Sequence, residues 1–280
     1  MNANVRWSNV YILFVSQALY QTVSILVITL SGIIGMQMAP DKNLATLPVA
    51  MTTIGAAIMM IPASLIMKKT GQRKAFMIGT VIGALSGVVS WYGIIHQSFW
   101  IFSIGNMLLG IYQGFTQYYR FAAADSVPDY AKSKAISWVI GGGIVAAFAG
   151  PNLAKFTQDL GAVPYAYSYL STILLSIAAL GVVAFLRLDK NIILKTNKST
   201  SSGRSLKEII KDKNTVLALF SSSTAFAVMG MSMTATPIAM HDFGHSSSDT
   251  AMVIQWHVLG MFLPSFFTGA LIQRFGVHRI

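Results

Sequence analysis

Two stripes of amide and hydroxyl side chains stand out within apolar stretches of the chain. In the first stripe, Gln17, Gln21 and Ser24 follow one another at intervals of four and three residues, with Tyr20 beside them. These intervals place the polar side chains on one face of a helix. Because polar groups are costly in hydrocarbon, this face is expected to point towards a wet interior rather than towards lipid.

The second stripe repeats this spacing. Gln113, Gln117 and Arg120 lie at the same intervals, and Tyr112 and Tyr119 flank them. Amide and aromatic groups suit a neutral or weakly charged organic solute held by hydrogen bonds and stacking. We therefore predict that the two stripes line a substrate cavity. The alternative is that the amides join helix to helix, as they often do in membranes.

Few ionisable groups lie within the apolar stretches. Arg120 and Asp125 are five residues apart, so they form a pair, anchor loops separately, or take part in proton coupling. His257 is a candidate proton relay, because histidine changes charge near neutral pH, although a histidine that bonds to a backbone carbonyl or to a neighbouring helix is more common. Asn152, one turn before Lys155, is a further candidate for the cavity.

No group of residues favours an enzyme. The chain has no paired intramembrane carboxylates and no Ser, His and Asp set in a helpful context. His241 and His245 are four residues apart, but they lie in a loop with Asp242 and Gly244 rather than on a span. The absence of cysteine excludes thiolate metal sites. We expect no catalytic residue, no metal and no cofactor.

The elements that position these residues follow from composition. With 54% hydrophobic and 10% charged residues among 280, the chain is too apolar for a soluble core and belongs in a bilayer. A helix needs roughly 20 residues to cross the hydrocarbon layer. Eight segments meet this need and predict an all-α, polytopic membrane bundle. They run approximately from Val10 to Gly35, Leu44 to Met67, Ala75 to Ile95, Phe99 to Phe121, Ala135 to Phe156, Ala166 to Leu186, Thr215 to Met240 and Thr250 to Ile272.

The basic residues predict the orientation. With a cytoplasmic N-terminus, the loops on the inner side collect 18 of the 20 Lys and Arg residues, and only Lys42 and Lys155 fall outside. Topology and lipid headgroups therefore explain the net charge of +11 without a nucleic-acid partner.

A basic, polar linker divides the predicted bundle. Residues 1–187 carry six spans, residues 188–213 form the linker, and residues 214–280 carry two spans. Ser205 and Glu208 have the spacing of a capping box, so the segment from Ser205 to Lys213 is either a short amphipathic surface helix or a solvated loop.

A charged turn occurs twice in the sequence. The stretch from Ser64 to Lys74 recurs as the stretch from Gly269 to Arg279, with Gly71 and Gly276 in matching contexts 205 residues apart. Two copies imply two structurally related halves.

These turns resemble the loop Gly-x-Leu-x-Asp-Arg-x-Gly-Arg-Arg of the major facilitator superfamily. Gly269, Arg274 and Gly276 match in the second copy, where Gln273 replaces the acid, and Gly71 and Arg73 match in the first. The stretches from Tyr118 to Asp125 and from His257 to Gly276 are also similar to bacterial members, with some likeness to a branch that includes proposed riboflavin importers.

The resemblance implies a secondary transporter in the bacterial inner membrane that moves a small organic solute by alternating access, with a proton or another coupling ion as a possible second partner. It implies a cavity lined by the first, fourth and seventh spans. Family members have twelve spans in two six-helix bundles, so eight spans predict a truncated chain. The alternative function is a transport-incompetent remnant or a membrane interaction protein.

Overall fold

The computed structural model describes residues 7–187, 206–276 and 279, and the regular secondary structure of these residues is helical. The first part contains α1 (Trp7–Met38), α2 (Leu47–Thr70), α3 (Gln72–Ile95), α4 (Phe99–Thr116), α5 (Tyr119–Asp125), α6 (Lys132–Thr157) and α7 (Ala166–Ala184). The second part contains α8 (Leu206–Lys211), α9 (Lys213–Asp242), α10 (Ser247–Phe262) and α11 (Ser265–Phe275). Short 3-10 turns occur at Lys42–Leu44 and Asp129–Ala131.

Among the described residues, seven helical segments are long and apolar enough to cross a membrane, which confirms the predicted all-α membrane bundle. The predicted span from Phe99 to Phe121 is not one continuous helix and is not among these seven segments. Instead, α4 has 18 residues, carries Asn106 and Gln113, and is followed by the separate helix α5. The predicted span from Thr250 to Ile272 is divided between α10 and α11 at Pro264, which has no backbone N–H to continue a helix.

The predicted linker lies mostly outside the described residues. Ser205, the proposed cap, is among the residues that the structure does not describe, whereas Leu206–Lys211 forms α8 within the segment where an amphipathic surface helix is one of the two predictions. The division into residues 1–187, 188–213 and 214–280 remains a prediction.

Close backbone contact joins α2 to α4. A Cβ atom added to Gly110 would collide with the carbonyl oxygen of Thr52 and lie 2.8 Å from the backbone nitrogen of Ala56. A Cβ atom added to Gly55 would likewise collide with the carbonyl oxygen of Met107. Small residues allow such contact where lipid provides no hydrophobic drive for helices to associate. These glycines hold α4, and with it the second polar stripe, against α2.

A ridge of glycines at four-residue spacing packs α3 against its neighbours. Gly79 faces the ring of Phe115 on α4, and Gly83 faces the ring of Tyr112 one turn away. Gly87 faces Thr172 on α7. The ridge therefore places α3 behind α4, on the side away from the polar stripe.

Three consecutive glycines on α6 serve two different neighbours. Gly142 faces α1, where an added Cβ would lie 2.8 Å from the carbonyl oxygen of Phe14. Gly141 and Gly143 face the rings of Phe266 and Phe262 instead. Helix α6 thus joins the first part of the chain to α10 and α11.

A buried polar network ties α1, α4 and α7 together. The hydroxyl of Ser31 donates to Asn106 Oδ1 at 2.8 Å and lies 3.0 Å from the hydroxyl oxygen of Tyr169. Asn106 Nδ2 donates to the carbonyl of Phe102 at 3.0 Å. Each buried group in the network thus has a partner, which is the arrangement that a polar group in a low-dielectric interior requires.

The two charged turns share an unusual backbone conformation. Gly71 has a φ of 86° and Gly276 has a φ of 82°, in the region that only glycine adopts without strain. Gly71 ends α2, and its N–H donates to the carbonyl of Met67 at 2.9 Å. The matching conformations give a structural reason for glycine at both positions.

Candidate functional site

A cavity of about 230 Å³ lies between the first part of the chain and helices α9 and α10. Its lining comes from six helices and from the turn between α4 and α5. The lining residues are Gln17, Tyr20, Gln21, Ser24, Ile25, Ile28, Gln113, Thr116, Gln117, Arg120, Val139, Ile140, Phe226, Met229, Met233, Val258, Met261 and Phe262.

One side of the cavity, which we call the amide wall, is polar and comes from α1, α4 and the turn after α4. Its members are Gln17, Tyr20, Gln21, Ser24, Gln113, Thr116 and Gln117. The structure therefore brings the two polar stripes to a single space. Gln17 Nε2 donates to Gln21 Oε1 at 3.3 Å, so these two amides order each other. The four glutamines are half-buried, which keeps amide atoms available to a solute.

The opposite side, which we call the apolar wall, comes from α9 and α10. Its members are Phe226, Met229, Met233, Val258, Met261 and Phe262. The sequence does not identify these side chains as cavity-lining, because methionine and phenylalanine occur in apolar spans whether they face lipid, the core or a cavity. The one available signal was the family expectation that the seventh span lines the cavity.

Two of the predicted cavity tyrosines lie behind the amide wall instead of on it. Tyr112 contacts the ring of Tyr20 edge-on, with 5.1 Å between ring centroids, and Tyr119 contacts Phe76 at 4.7 Å. Both are fully buried, and within the described part of the chain their hydroxyls make no hydrogen bond of good geometry, although the two hydroxyls interact with each other. Tyr112 on α4 and Tyr119 on α5 both point towards α3, where they meet Gly83 and Phe76, while the glutamines face the cavity.

Arg120 and Asp125 do not form an ion pair with each other in the structure. Arg120 lines the cavity, and its guanidinium carbon lies 5.0 Å from the ring centroid of Phe121. Asp125 instead accepts a hydrogen bond from Gln72 Nε2 at 3.3 Å, which joins the end of α5 to the start of α3.

The remaining predicted site residues, Asn152 and His257, are not among the residues that line the cavity. Asn152 Nδ2 donates to the carbonyl of Phe148 at 2.7 Å and lies 3.5 Å from Gln255 Oε1 on α10. His257 is half-buried on α10, and its buried Nε2 atom has no hydrogen-bond partner among the residues that the structure describes. Nearby, Lys155 Nζ donates to Ser248 Oγ at 2.8 Å.

Comparison with known proteins identifies the family. The model of the Major Facilitator Superfamily matches residues 12–280. The chain is 42% identical over 275 residues to a riboflavin transporter of Brucella anthropi, a match that covers 97% of this chain and 68% of the relative. It is 26% identical to two uncharacterized MFS-type transporters of Bacillus subtilis, over 262 and 261 residues; each match covers 89% of this chain, and 60% and 61% of the respective relative. The chain is thus a multi-pass membrane protein that belongs to the major facilitator superfamily of transporters.

Proposed function

We propose that this chain moves a small organic solute across the membrane by alternating access, and that riboflavin is the first solute to test. The observation that carries the proposal is the cavity between the amide wall and the apolar wall, with one wall from each part of the chain. Relative movement of the two parts would open such a space to either side of the membrane. The riboflavin transporter at 42% identity supports the choice of solute.

The two walls suit the two kinds of surface on a flavin. A flavin ring is planar and aromatic, so its faces would pack against methionine and phenylalanine side chains such as Met229 and Phe262. Its ring edge carries carbonyl and imide groups, and its side chain carries hydroxyls. Glutamine amides both donate and accept, so Gln17 and Gln117 can hydrogen-bond to either group.

The proposed location is the bacterial plasma membrane, with a cytoplasmic N-terminus. Exposed basic residues support this orientation, because Lys68 and Lys69 end α2, Arg73 and Lys74 begin α3, and Lys132 begins α6. These residues define one end of the bundle, which we call the basic end, and basic loops favour the cytoplasmic side. Arg120 would then lie towards the cytoplasmic side of the cavity.

The test is riboflavin flux into lipid vesicles that contain the purified 280-residue chain. We expect saturable flux above that of empty vesicles, and competition by unlabelled riboflavin. A folded, membrane-inserted chain that moves neither riboflavin nor any solute of a wider panel would instead support the transport-incompetent alternative.

We further propose that His257 couples solute transport to proton movement. The support for this proposal is a ring nitrogen that is buried without a hydrogen-bond partner in the described part of the chain, next in sequence to the cavity residue Val258. We expect His257→Gln to retain flux but to lose the dependence of flux on a proton gradient. His96→Gln is the matched control, because His96 is exposed at the end of α3 and stacks on Tyr92. An unaltered response in His257→Gln would remove His257 from the coupling step.

A further inference from the structure

Arg120 differs from every other residue of the cavity lining. It carries the only charge among the lining side chains that the structure describes. It comes from α5, at the basic end of the bundle, whereas the glutamines and hydroxyls of the amide wall are neutral. An uncharged solute would make no charge-assisted hydrogen bond with this exposed guanidinium.

The protein itself does not neutralise Arg120 within the described residues. Asp125 accepts a hydrogen bond from Gln72, and Asp129 pairs with Lys132 at 2.7 Å. The contact of Arg120 with the ring of Phe121 is a cation–π interaction, which uses none of the five guanidinium N–H donors. Those donors therefore remain available to a ligand at the mouth of the cavity.

A planar guanidinium matches the geometry of phosphate and carboxylate, because two parallel N–H groups can donate to two oxygens of the same anion. The amide of Gln117, three residues earlier in the chain, lines the same cavity and can add a further donor. Arg120 is exposed, so a phosphate must compete with water for the guanidinium, but hydrogen bonds between two charged groups are about twice as strong as those between neutral groups.

We propose that Arg120 and Gln117 form an anion subsite at the basic end of the cavity, which binds the phosphate group of a phosphate ester of the solute. This inference rests on the proposed function, because the uncharged body of the ester would occupy the solute cavity. For riboflavin, the ligand is riboflavin 5′-phosphate. The subsite would let the transporter distinguish the phosphorylated solute from the free one.

The test compares the binding of riboflavin and riboflavin 5′-phosphate to the purified chain in nanodiscs of zwitterionic lipid, by quenching of flavin fluorescence. We expect the phosphate ester to bind about tenfold more tightly than riboflavin, as a charge-assisted contact would predict. Arg120→Gln should abolish this preference, so that the ratio of the two dissociation constants falls to about one, whereas Arg120→Lys should keep part of the preference.

Arg274→Gln is a closely matched control. Arg274 is also exposed and also contacts the ring of the phenylalanine that follows it, at 5.4 Å, but it does not line the cavity. We expect the Arg274→Gln variant to prefer the phosphate ester over riboflavin as strongly as the unaltered chain does. Equal binding of the two flavins, or a preference that survives in Arg120→Gln, would overturn the subsite.

A separate arm keeps the subsite testable if riboflavin does not bind, a result that would count against the proposed function alone. Inorganic phosphate is added without flavin, and thermal stability is measured. We expect stabilisation of the unaltered chain and of Arg274→Gln but not of Arg120→Gln, and equal responses would overturn the proposal.

A lipid headgroup could supply the same phosphate chemistry. The flavin measurement is therefore repeated in nanodiscs of anionic lipid, where we expect the preference for the phosphate ester to persist. Loss of the preference in anionic lipid would assign Arg120 to headgroups and overturn the proposal of a soluble ester.

Discussion

Helices α1 and α9 are similar in length and composition, yet they lie in different surroundings. Of the 32 residues of α1, 18 are buried, whereas Met233 and Pro237 are the buried residues of the 30 in α9. Each helix contributes to one wall of the cavity, α1 to the amide wall and α9 to the apolar wall. The difference shows that two helices of similar apolar character can be buried to very different extents by the described part of the chain.

The two regions also hold their walls in different ways. The amide wall is backed by helices that touch backbone to backbone at Gly110 and Gly142, and α1 and α4 are linked by the Ser31 network. The apolar wall is presented mainly by methionine and phenylalanine side chains, and methionine adapts its shape readily. A fixed polar wall therefore faces an adaptable apolar one.

The largest expected effect tests this contrast at two glycines. Gly110→Ala places a Cβ atom against the backbone of α2, so we expect a loss of stability of about 3 kcal/mol, seen as a lower Tm and a lower yield of folded protein in detergent. Gly230→Ala is the matched change on α9, where no atom lies within 4 Å of the added Cβ. Because alanine favours helix over glycine by about 1 kcal/mol, this variant should equal or exceed the original Tm.

Similar losses in Gly110→Ala and Gly230→Ala would contradict the contrast between the two regions. They would indicate that α9 packs as closely on a neighbour as α4 packs on α2.

The second prediction compares how substitutions in the amide wall and in the apolar wall change riboflavin binding. Gln17→Ala and Gln117→Ala each remove an amide from the polar wall, so we expect each to weaken riboflavin binding by about threefold to tenfold with normal membrane insertion. Met229→Leu is the control on the apolar wall, since it conserves volume and hydrophobicity, and we expect a change of less than twofold there. Unchanged binding and flux in both glutamine variants would remove the cavity assignment.

The smallest effect separates two buried tyrosines within the first region. Tyr169→Phe removes a hydroxyl from the network with Ser31 and should cost about 1 kcal/mol of stability. Tyr112→Phe removes a hydroxyl that makes no hydrogen bond of good geometry in the described part of the chain, so stability should be unchanged or slightly raised. Thermal unfolding of the two variants in the same detergent makes the comparison. An equal loss in both would show that the Tyr112 hydroxyl has a stabilising partner, for which the neighbouring hydroxyl of Tyr119 is the candidate.

The polar features of the cavity were predictable because polar residues are costly in a membrane and are therefore conspicuous in sequence. The spacing of Gln17, Gln21 and Ser24 predicts one face of a helix, and the structure places all three in the cavity lining. The apolar wall carries no such signal, since Met229 has the same chemistry as a residue that faces lipid.

Some helix boundaries are likewise marked by a residue in the sequence, and others are not. Pro264 lies at the division between α10 and α11 and marks it in the sequence, although Pro62, Pro151 and Pro237 lie inside continuous helices. The break at Gln117 and Tyr118 has no proline or glycine to mark it. Likewise, Gly110 and Gly181 are both glycines in apolar helices, but only the neighbours seen in the structure show that the first is essential for packing and the second lies in open space.

The four glutamines of the amide wall have a consequence for how selectivity could change during evolution. A half-turn of an amide group exchanges its oxygen and its nitrogen, so Gln113 and Gln117, and Gln17 and Gln21 if they turn together, can present either an acceptor or donors at the same point. The polar wall can then accommodate heterocycles with opposite hydrogen-bonding patterns without any substitution. Discrimination among such solutes falls to the shape of the apolar wall and to the charge of Arg120. New specificities would therefore arise mainly from changes at Met229, Phe262 and their neighbours, while the glutamines stay in place.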